Sequence, residues 1–335
     1  MALRSAATSL FRGLTSAGGA ESVGFGSLLP AAARANEALF SQHGSVESVR
    51  EASNQAVKLR IRAIKNIGKI TKAMKFVAAS KMRSAQVAVE NSRGIVDPFT
   101  RLFGDHPCVP VSKDLILAVT SDKGLCGGLN SSITKYTRQL IKITAGDEGS
   151  PSEQIILSIG DKGRSQLTRA EPEKFKYCFN ETFKVKVTFA QSSMIAEELL
   201  KYNPGAVRVL FNKFGSAISY KPTVSTVMSP ETIEQQMNEP SGNKLDAYEI
   251  ESTHERADTL ADLAEFQLAA TLYNAMLENN CSESASRMAA MENSTKSAGE
   301  MLSTLTLSYN RKRQSTITTE LIEIIAGASA LMDAA

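Results

Sequence analysis

The sequence predicts an α/β domain inserted between two long helices that pair antiparallel as a coiled coil. Three observations carry this. Residues 46–97 lack Pro and repeat their apolar residues at helical spacing. Residues 251–335 do the same. Residues 113–230 instead alternate short apolar runs with helical stretches, the pattern of an α/β layer with parallel pairing. The 335 residues are 42% hydrophobic, enough to bury a core; with 6% aromatics and no Trp, that core is aliphatic. The domains predicted are a leader over 1–45, an N-terminal coiled-coil helix over 46–105, a Rossmann-like α/β domain over 106–250 and a C-terminal coiled-coil helix over 251–335.

The opening segment "MALRSAATSLFRGLTSAGG" is rich in Ala, Ser and Leu, with Arg4 and Arg12 and no acid before Glu21. On a helix, Leu3, Leu10, Phe11 and Leu14 fall near one side. This is the composition of an organelle transit peptide.

The first long helix is cationic. From Lys58 to Arg83 there are nine Lys or Arg residues, and no acid lies between Glu51 and Glu90. Yet the chain as a whole has 38 basic against 35 acidic residues, so the cations are concentrated rather than abundant. At 100° per residue, Lys58, Arg62, Lys65, Lys69, Lys72 and Arg83 line one side. Ile64, Ile67, Ile70, Met74, Val77 and Met82 line the other, with Arg60 and Lys81 breaking into it. Asp97-Pro98 is the expected stop. The helix would be roughly 75 Å long, too long for the inside of a small globule.

In the middle block, "LILAVT" (115–120), "QIILSIG" (154–160) and "AVRVLFNKF" (206–214) read as buried strands. "SYKPTVSTVM" reads as an edge strand, because Pro222 suits an edge. "DKGRSQLTR" and "MIAEELLKYN" read as helices, and a further helix runs to about Ile143. The polar stretch 229–244 reads as a surface connection. In the last block, Met291, Thr295, Ala298, Leu302, Leu305 and Tyr309 step by 4 and 3, the spacing of a left-handed two-helix seam. Ile317, Leu321, Ile324, Ala328 and Leu331 are expected to continue it. Neither long helix can hide its apolar stripe alone, which is why they pair.

Cys108, Cys126, Cys178 and Cys281 are far apart, no CxxC occurs, and His43, His106 and His254 do not cluster near them. This argues against a zinc site and against a disulfide framework. No apolar run approaches the roughly 20 residues that span a bilayer. The loop "SDKGLCGGLN" follows a strand and opens a helix, where phosphates bind. No GxGxxG or GxxxxGK[ST] accompanies it, so the reading preferred is a tight turn at Gly124, Gly127 and Gly128 that touches a neighbour. Cys126 is read as buried rather than reactive. The basic run has three readings: a solvated face, a nucleic-acid surface working by counterion release, or a surface for acidic protein. Interleaved aromatics are missing, since Phe76 stands alone. Arg311, Lys312 and Arg313, followed by Gln314, Ser315 and Thr316, form a polar band within the second seam.

Three stretches together, "KITKAMKFVAASKMR", "SDKGLCGGLN" and "YNRKRQSTITTELIEIIAGASAL", resemble the gamma subunit of F-type ATP synthase, in that family's order along the chain. The resemblance implies a rotating central stalk of the F1 sector, with no catalytic, cofactor or metal residues of its own. It implies alpha and beta subunits, epsilon- or delta-type stalk subunits and the c ring as partners, and no nucleic acid. Lys69, Lys72, Met74, Lys75 and Lys81 match the stretch that passes the acidic lever loops of beta. Arg313, Gln314 and Thr318 match positions that meet the beta catch loops. Ile317, Leu321, Ile324 and Leu331 match the tip held in the hexamer's sleeve. No Cys lies between Cys178 and Cys281, so the chloroplast form's inserted Cys pair is absent. That favours the matrix side of the mitochondrial inner membrane, peripherally bound. The other expectations are a phosphate- or nucleotide-binding α/β enzyme and a basic coiled coil that binds nucleic acid.

Overall fold

The structure, a computed structural model, describes residues 31–104, 109–144, 153–237 and 256–333. The chain divides into two units, Met1–Lys58 and Leu59–Ala335. Helix α1 (Ala31–Phe103) begins in the first and continues through the second. Of the leader expected over 1–45, residues 1–30 lie outside the described residues. The second unit then runs β1 (Lys113–Val119), α2 (Leu129–Ile143), β2 (Glu153–Ile159), α3 (Asp161–Ala170), β3 (Phe175–Phe179), α4 (Phe189–Leu200), β4 (Ala206–Phe214), β5 (Tyr220–Met228), α5 (Pro230–Met237) and α6 (Arg256–Asp333).

The five strands form one sheet in the order β3-β2-β1-β4-β5. All neighbours are parallel except β4 and β5, which pair antiparallel. A strand buried on both faces reads as a nearly continuous apolar run, and β1 is buried from Asp114 to Val119, apolar throughout but for Asp114. One face carries Leu115, Leu117, Ile155, Leu157, Val207 and Val209 against α4 and α6. The alternate residues Ile116, Ala118, Ile156 and Leu210 meet Ile133 and Ile141 of α2 and Leu167 of α3 on the other face. Pro222 sits on the edge strand β5 opposite Asn212, as its missing N–H requires.

Antiparallel contacts join α1 to α6. Ser92 donates to Asn274 at 2.9 Å, Thr71 and Thr295 share a 2.8 Å hydroxyl bond, and Lys75 meets Glu292 at 2.9 Å. Along α1 the less exposed positions include Ile61, Ile64, Gly68, Thr71, Lys75, Ala78, Met82, Ala85, Val89, Ser92, Val96 and Phe99. They keep a 3.5-residue average, the period of a two-helix seam. This corrects the expected apolar side. Ile67, Ile70 and Val77 are 50%, 58% and 58% exposed. The seam prefers the small residues beside them because small residues let the axes approach: a Cβ on Gly68 would lie 3.8 Å from that of Ala298. On α6 the expected set from Met291 to Tyr309 is the less exposed set.

Three further expectations are corrected. First, α1 does not stop at Pro98 but continues to Phe103. The proline ring presses on the carbonyl four residues back, which belongs to Gly94, where no atom crowds the missing Cβ. Phe103 is buried with Val109, Met228, Ile233 and Ala264, and this burial rewards the extra turn. Second, the sheet has a further strand, β3, that the sequence pattern does not show: "FKYCF" interleaves Lys176 among its apolar residues and lies at the sheet edge. Third, the stretch 229–244 begins with a helix. Pro230 suits a first helical position, Ser229 Oγ accepts the Thr232 N–H at 3.3 Å, and Ile233 is buried.

Candidate functional site

Arg60, Arg62, Lys65, Lys69, Lys72, Lys81 and Arg83 are all exposed on α1. Side chains of one sign on adjacent turns repel one another, and their fields add outward. Lys75 differs. It is half-buried, and its bond to Glu292 holds that carboxyl below its ordinary value. So Lys75 braces the two helices, while Lys69 and Lys72 reach solvent. Met74 is half-buried beside the seam. Between the cations lie exposed Ile67, Ile70, Phe76 (63%) and Val77, so this face is cationic and apolar at once.

Lys81 stands apart from Lys69 and Lys72. It lines a cavity of about 410 Å³ with Asp122, Lys123, Asp161, Glu283 and Arg287, at the carboxyl ends of the parallel strands. This crevice is where α/β sheets commonly bind ligands, but its polar groups are largely engaged. Asp122 accepts the backbone N–H groups of Asp161 and Glu181, each at 3.3 Å. The N-terminus of α3 begins with an acid, Asp161, which disfavours an anion.

The glycine-rich loop is bonded to α6, as the tight-turn reading expects. Ser286 donates to the Cys126 carbonyl at 2.5 Å and Arg287 to that of Gly124 at 3.2 Å. Gly127 has φ +58°, and a Cβ there would lie 3.3 Å from Ser286 Oγ. Cys126 is 2% exposed and burial pushes its thiol up. Burial, and then the charge of Glu278, push the Cys281 thiol to about 12. At pH 8 its thiolate fraction is then on the order of 10⁻⁴. In the folded chain iodoacetamide should modify half-buried Cys178 first among the described cysteines and Cys281 last, as peptide mass mapping over time would read.

On α6, Arg313, Gln314 and Thr318 are exposed. Thr318 spends its hydroxyl proton on the Gln314 carbonyl at 2.9 Å, so Arg313 and the Gln314 amide are the groups that project. Arg313 lies 21 residues beyond Glu292, about 30 Å along the helix. The lysine band and this polar band are therefore two separate levels.

Ile317, Leu321, Ile324 and Leu331 are 55%, 55%, 69% and 75% exposed, and Ile322, Ile325 and Met332 are exposed beside them. By helical geometry they lie off the line set by Met291 to Tyr309. Ile317 is eight residues past Tyr309 and so falls about 80° off the line; Thr316 falls only about 20° off and is the less exposed residue. The end of α6 thus presents apolar side chains around its circumference, more than an isolated surface should carry.

Sequence reasoning missed Arg93, Glu278, Asn279, Ser282 and Ser286, which tie α6 to the sheet. The available signal was a mostly polar stretch, "ENNCSESASR", between apolar turns.

With this geometry in hand, comparison with known proteins gives one answer. The family described as ATP synthase matches residues 53–331. The mitochondrial ATP synthase gamma subunit of Ipomoea batatas is 48% identical over 295 residues, covering 87% of this chain and 89% of the relative. That of Arabidopsis thaliana is 46% identical over 305 residues, covering 90% and 93%. Among solved structures, a chain from the Euglena gracilis mitochondrial ATP synthase superposes with a TM-score of 0.68 at 20% identity, covering 84% of this chain and 95% of that one. A chain from the central stalk and c-ring of the Tetrahymena thermophila enzyme gives 0.52 at 30% identity, covering 67% and 98%. The chain belongs to the family of ATP synthase gamma subunits.

Proposed function

We propose that this chain is the central rotary stalk of the F1 sector of a proton-transporting ATP synthase, passing c-ring rotation to the catalytic beta subunits. The observation that carries the reading is the paired α1 and α6, with a cationic and apolar face on α1 and an apolar end on α6. Such surface needs covering, and a hexamer of alpha and beta subunits supplies a lined bore. The similar Tetrahymena chain comes from a central stalk and c-ring assembly, which supports the same reading. The chain acts without a catalytic site of its own. A shaft with different faces biases each beta site toward a different nucleotide state according to the face it meets, and a bias of this kind shifts an equilibrium only by the difference in contact energy between states.

In this role Lys69 and Lys72 attract acidic loops of beta, Met74 and Lys75 stiffen the shaft behind them, and Lys81 sits where shaft meets foot. Arg313, Gln314 and Thr318 form a second contact level. Ile317, Leu321, Ile324 and Leu331 turn in the sleeve. The sheet domain meets the epsilon- or delta-type subunits and the c ring. Residues 1–45 act as the leader that delivers the chain to the matrix side of the mitochondrial inner membrane, in keeping with its mitochondrial relatives. Purification through a tag on the sheet domain tests the whole reading. Alpha and beta subunits should co-purify in threefold excess over this chain, and a chain recovered without them would overturn it.

A further inference from the structure

The long helix α6 changes character once along its length. From Glu278 to Ser286 its polar side chains are almost wholly buried: Glu278, Asn279 and Ser282 are 0% exposed, and Ser286 is 8%. An apolar sequence would pack there without desolvation cost. Instead, each of these four side chains reaches a fixed atom of the sheet domain. Glu278 accepts hydrogen bonds from the Phe214 N–H at 2.7 Å and from Nε and Nη2 of Arg93 at 2.6 and 3.1 Å. Arg93 also donates to the Phe214 carbonyl at 2.7 Å, so one ionic group ties α1, α6 and the end of β4. Asn279 donates to the Thr120 carbonyl at the end of β1 and accepts from Asn212 of β4, at 3.2 and 3.1 Å. Ser282 donates to the Asn212 carbonyl at 2.9 Å, and Ser286 to that of Cys126. On its other side the same segment meets α1, where the Cys281 thiol faces the Met82 carbonyl at 3.9 Å.

Resting on the rotary reading above, we propose that Glu278, Asn279, Ser282 and Ser286 are the torque-bearing splice between foot and shaft. Apolar burial is non-directional, so it resists separation of two surfaces far more than sliding between them. A hydrogen bond weakens steeply once stretched past about 3.5 Å or bent below about 120°. Four side chains aimed at β1, β4 and the glycine-rich loop therefore oppose shear in several directions at once. The bonds go to Asn212 and Phe214 of β4, to Thr120 just after β1 and to Cys126 of the glycine-rich loop. A four-residue slip of α6 would set one serine in the other's place and leave the bonds of Glu278 and Asn279 unmade. These are positioning residues: they touch no nucleotide and no proton path, and they hold the register through which rotation passes.

The test uses the assembled complex in sealed vesicles, reading ATP hydrolysis and ATP-driven acidification together. A variant with Asn279→Leu, Ser282→Ala and Ser286→Ala keeps side-chain volume nearly constant and removes the directional bonds. Hydrolysis should stay within about twofold of the parent while acidification per ATP falls at least threefold. Leu272→Ala is the control. It weakens the apolar contact of the same helix with the sheet, where Leu272 is 0% exposed, and it should leave acidification per ATP at the parent's value. If the triple variant does not assemble, Ser282→Ala with Ser286→Ala, which removes only two hydroxyls, is read by the same two measures. Parental acidification per ATP in the splice variants, or an equal loss in Leu272→Ala, overturns the splice. A parent complex that hydrolyses ATP without acidifying overturns the rotary reading itself, and the splice with it.

Discussion

Asp114→Ala should cost the fold about 3–5 kcal/mol, lowering the urea midpoint of the isolated chain by about 1–2 M at an m-value near 2–3 kcal/mol/M. Asp114 of β1 and Arg208 of β4 are each 1% exposed and joined as an ion pair between adjacent parallel strands. Arg208 also donates to the Val109 carbonyl at 2.7 Å, which pins the chain entering β1. Removing the carboxylate leaves a guanidinium in the sheet layer, and arginine cannot shed its proton to escape the cost. Water cannot reach it without opening the core made by Ile116, Ile156 and Leu210. The pair itself contributes little net stability, because desolvation offsets most of its attraction. The double change Asp114→Leu with Arg208→Met should therefore recover most of the loss. A double variant as unstable as the single one would place the cost in strand packing rather than in the stranded charge.

That pair also marks how far the sequence could be read. Strands buried on both faces announce themselves, and β4 lies where "AVRVLFNKF" placed it, although Arg208 within that run gave no hint of a buried partner on β1. The half-exposed edge strand β3 did not announce itself, since Lys176 interrupts its apolar run. The cationic run was legible as a run. Its geometry was not: periodicity ranks residues by apolarity, whereas the seam selects Gly68, Thr71 and Ala78 for size and leaves Ile67, Ile70 and Val77 outside. Nothing in composition separates Lys75, which holds Glu292, from Lys72, which does not; that difference depends on where α6 passes. Nothing in the sequence shows that Glu278 and Ser282 are bonded to the sheet, because their backbone partners belong to a strand over sixty residues earlier.

Replacing Lys69 and Lys72 together with Glu should weaken coupling by a factor of roughly 5–30 while leaving folding almost unchanged. Both side chains are exposed, so the substitution should move stability by about 0.5 kcal/mol or less. Against an acidic partner surface the effect differs in kind. An exposed ion pair contributes about 0.2–1 kcal/mol, and reversing the charge converts attraction into repulsion. Taking about 0.3–0.5 kcal/mol for each attraction lost and as much for each repulsion gained, two reversals amount to about 1–2 kcal/mol, which is the stated factor. Lys75 is kept out of this variant because a Glu there would face Glu292 at the distance now occupied by an ion pair; that change would strain the shaft and confuse the result. Attraction between exposed charges is screened over about 10 Å at 0.1 M salt. Coupling in the parent should therefore fall as salt rises, while coupling in the variant should change less or improve. The measurements are the thermal midpoint of the isolated chain and ATP synthesis by the assembled complex at 50 and 300 mM KCl. A variant that couples as the parent does at low salt removes Lys69 and Lys72 from the contact surface. A variant that fails to assemble as often as it fails to couple assigns them to building the complex rather than to turning it.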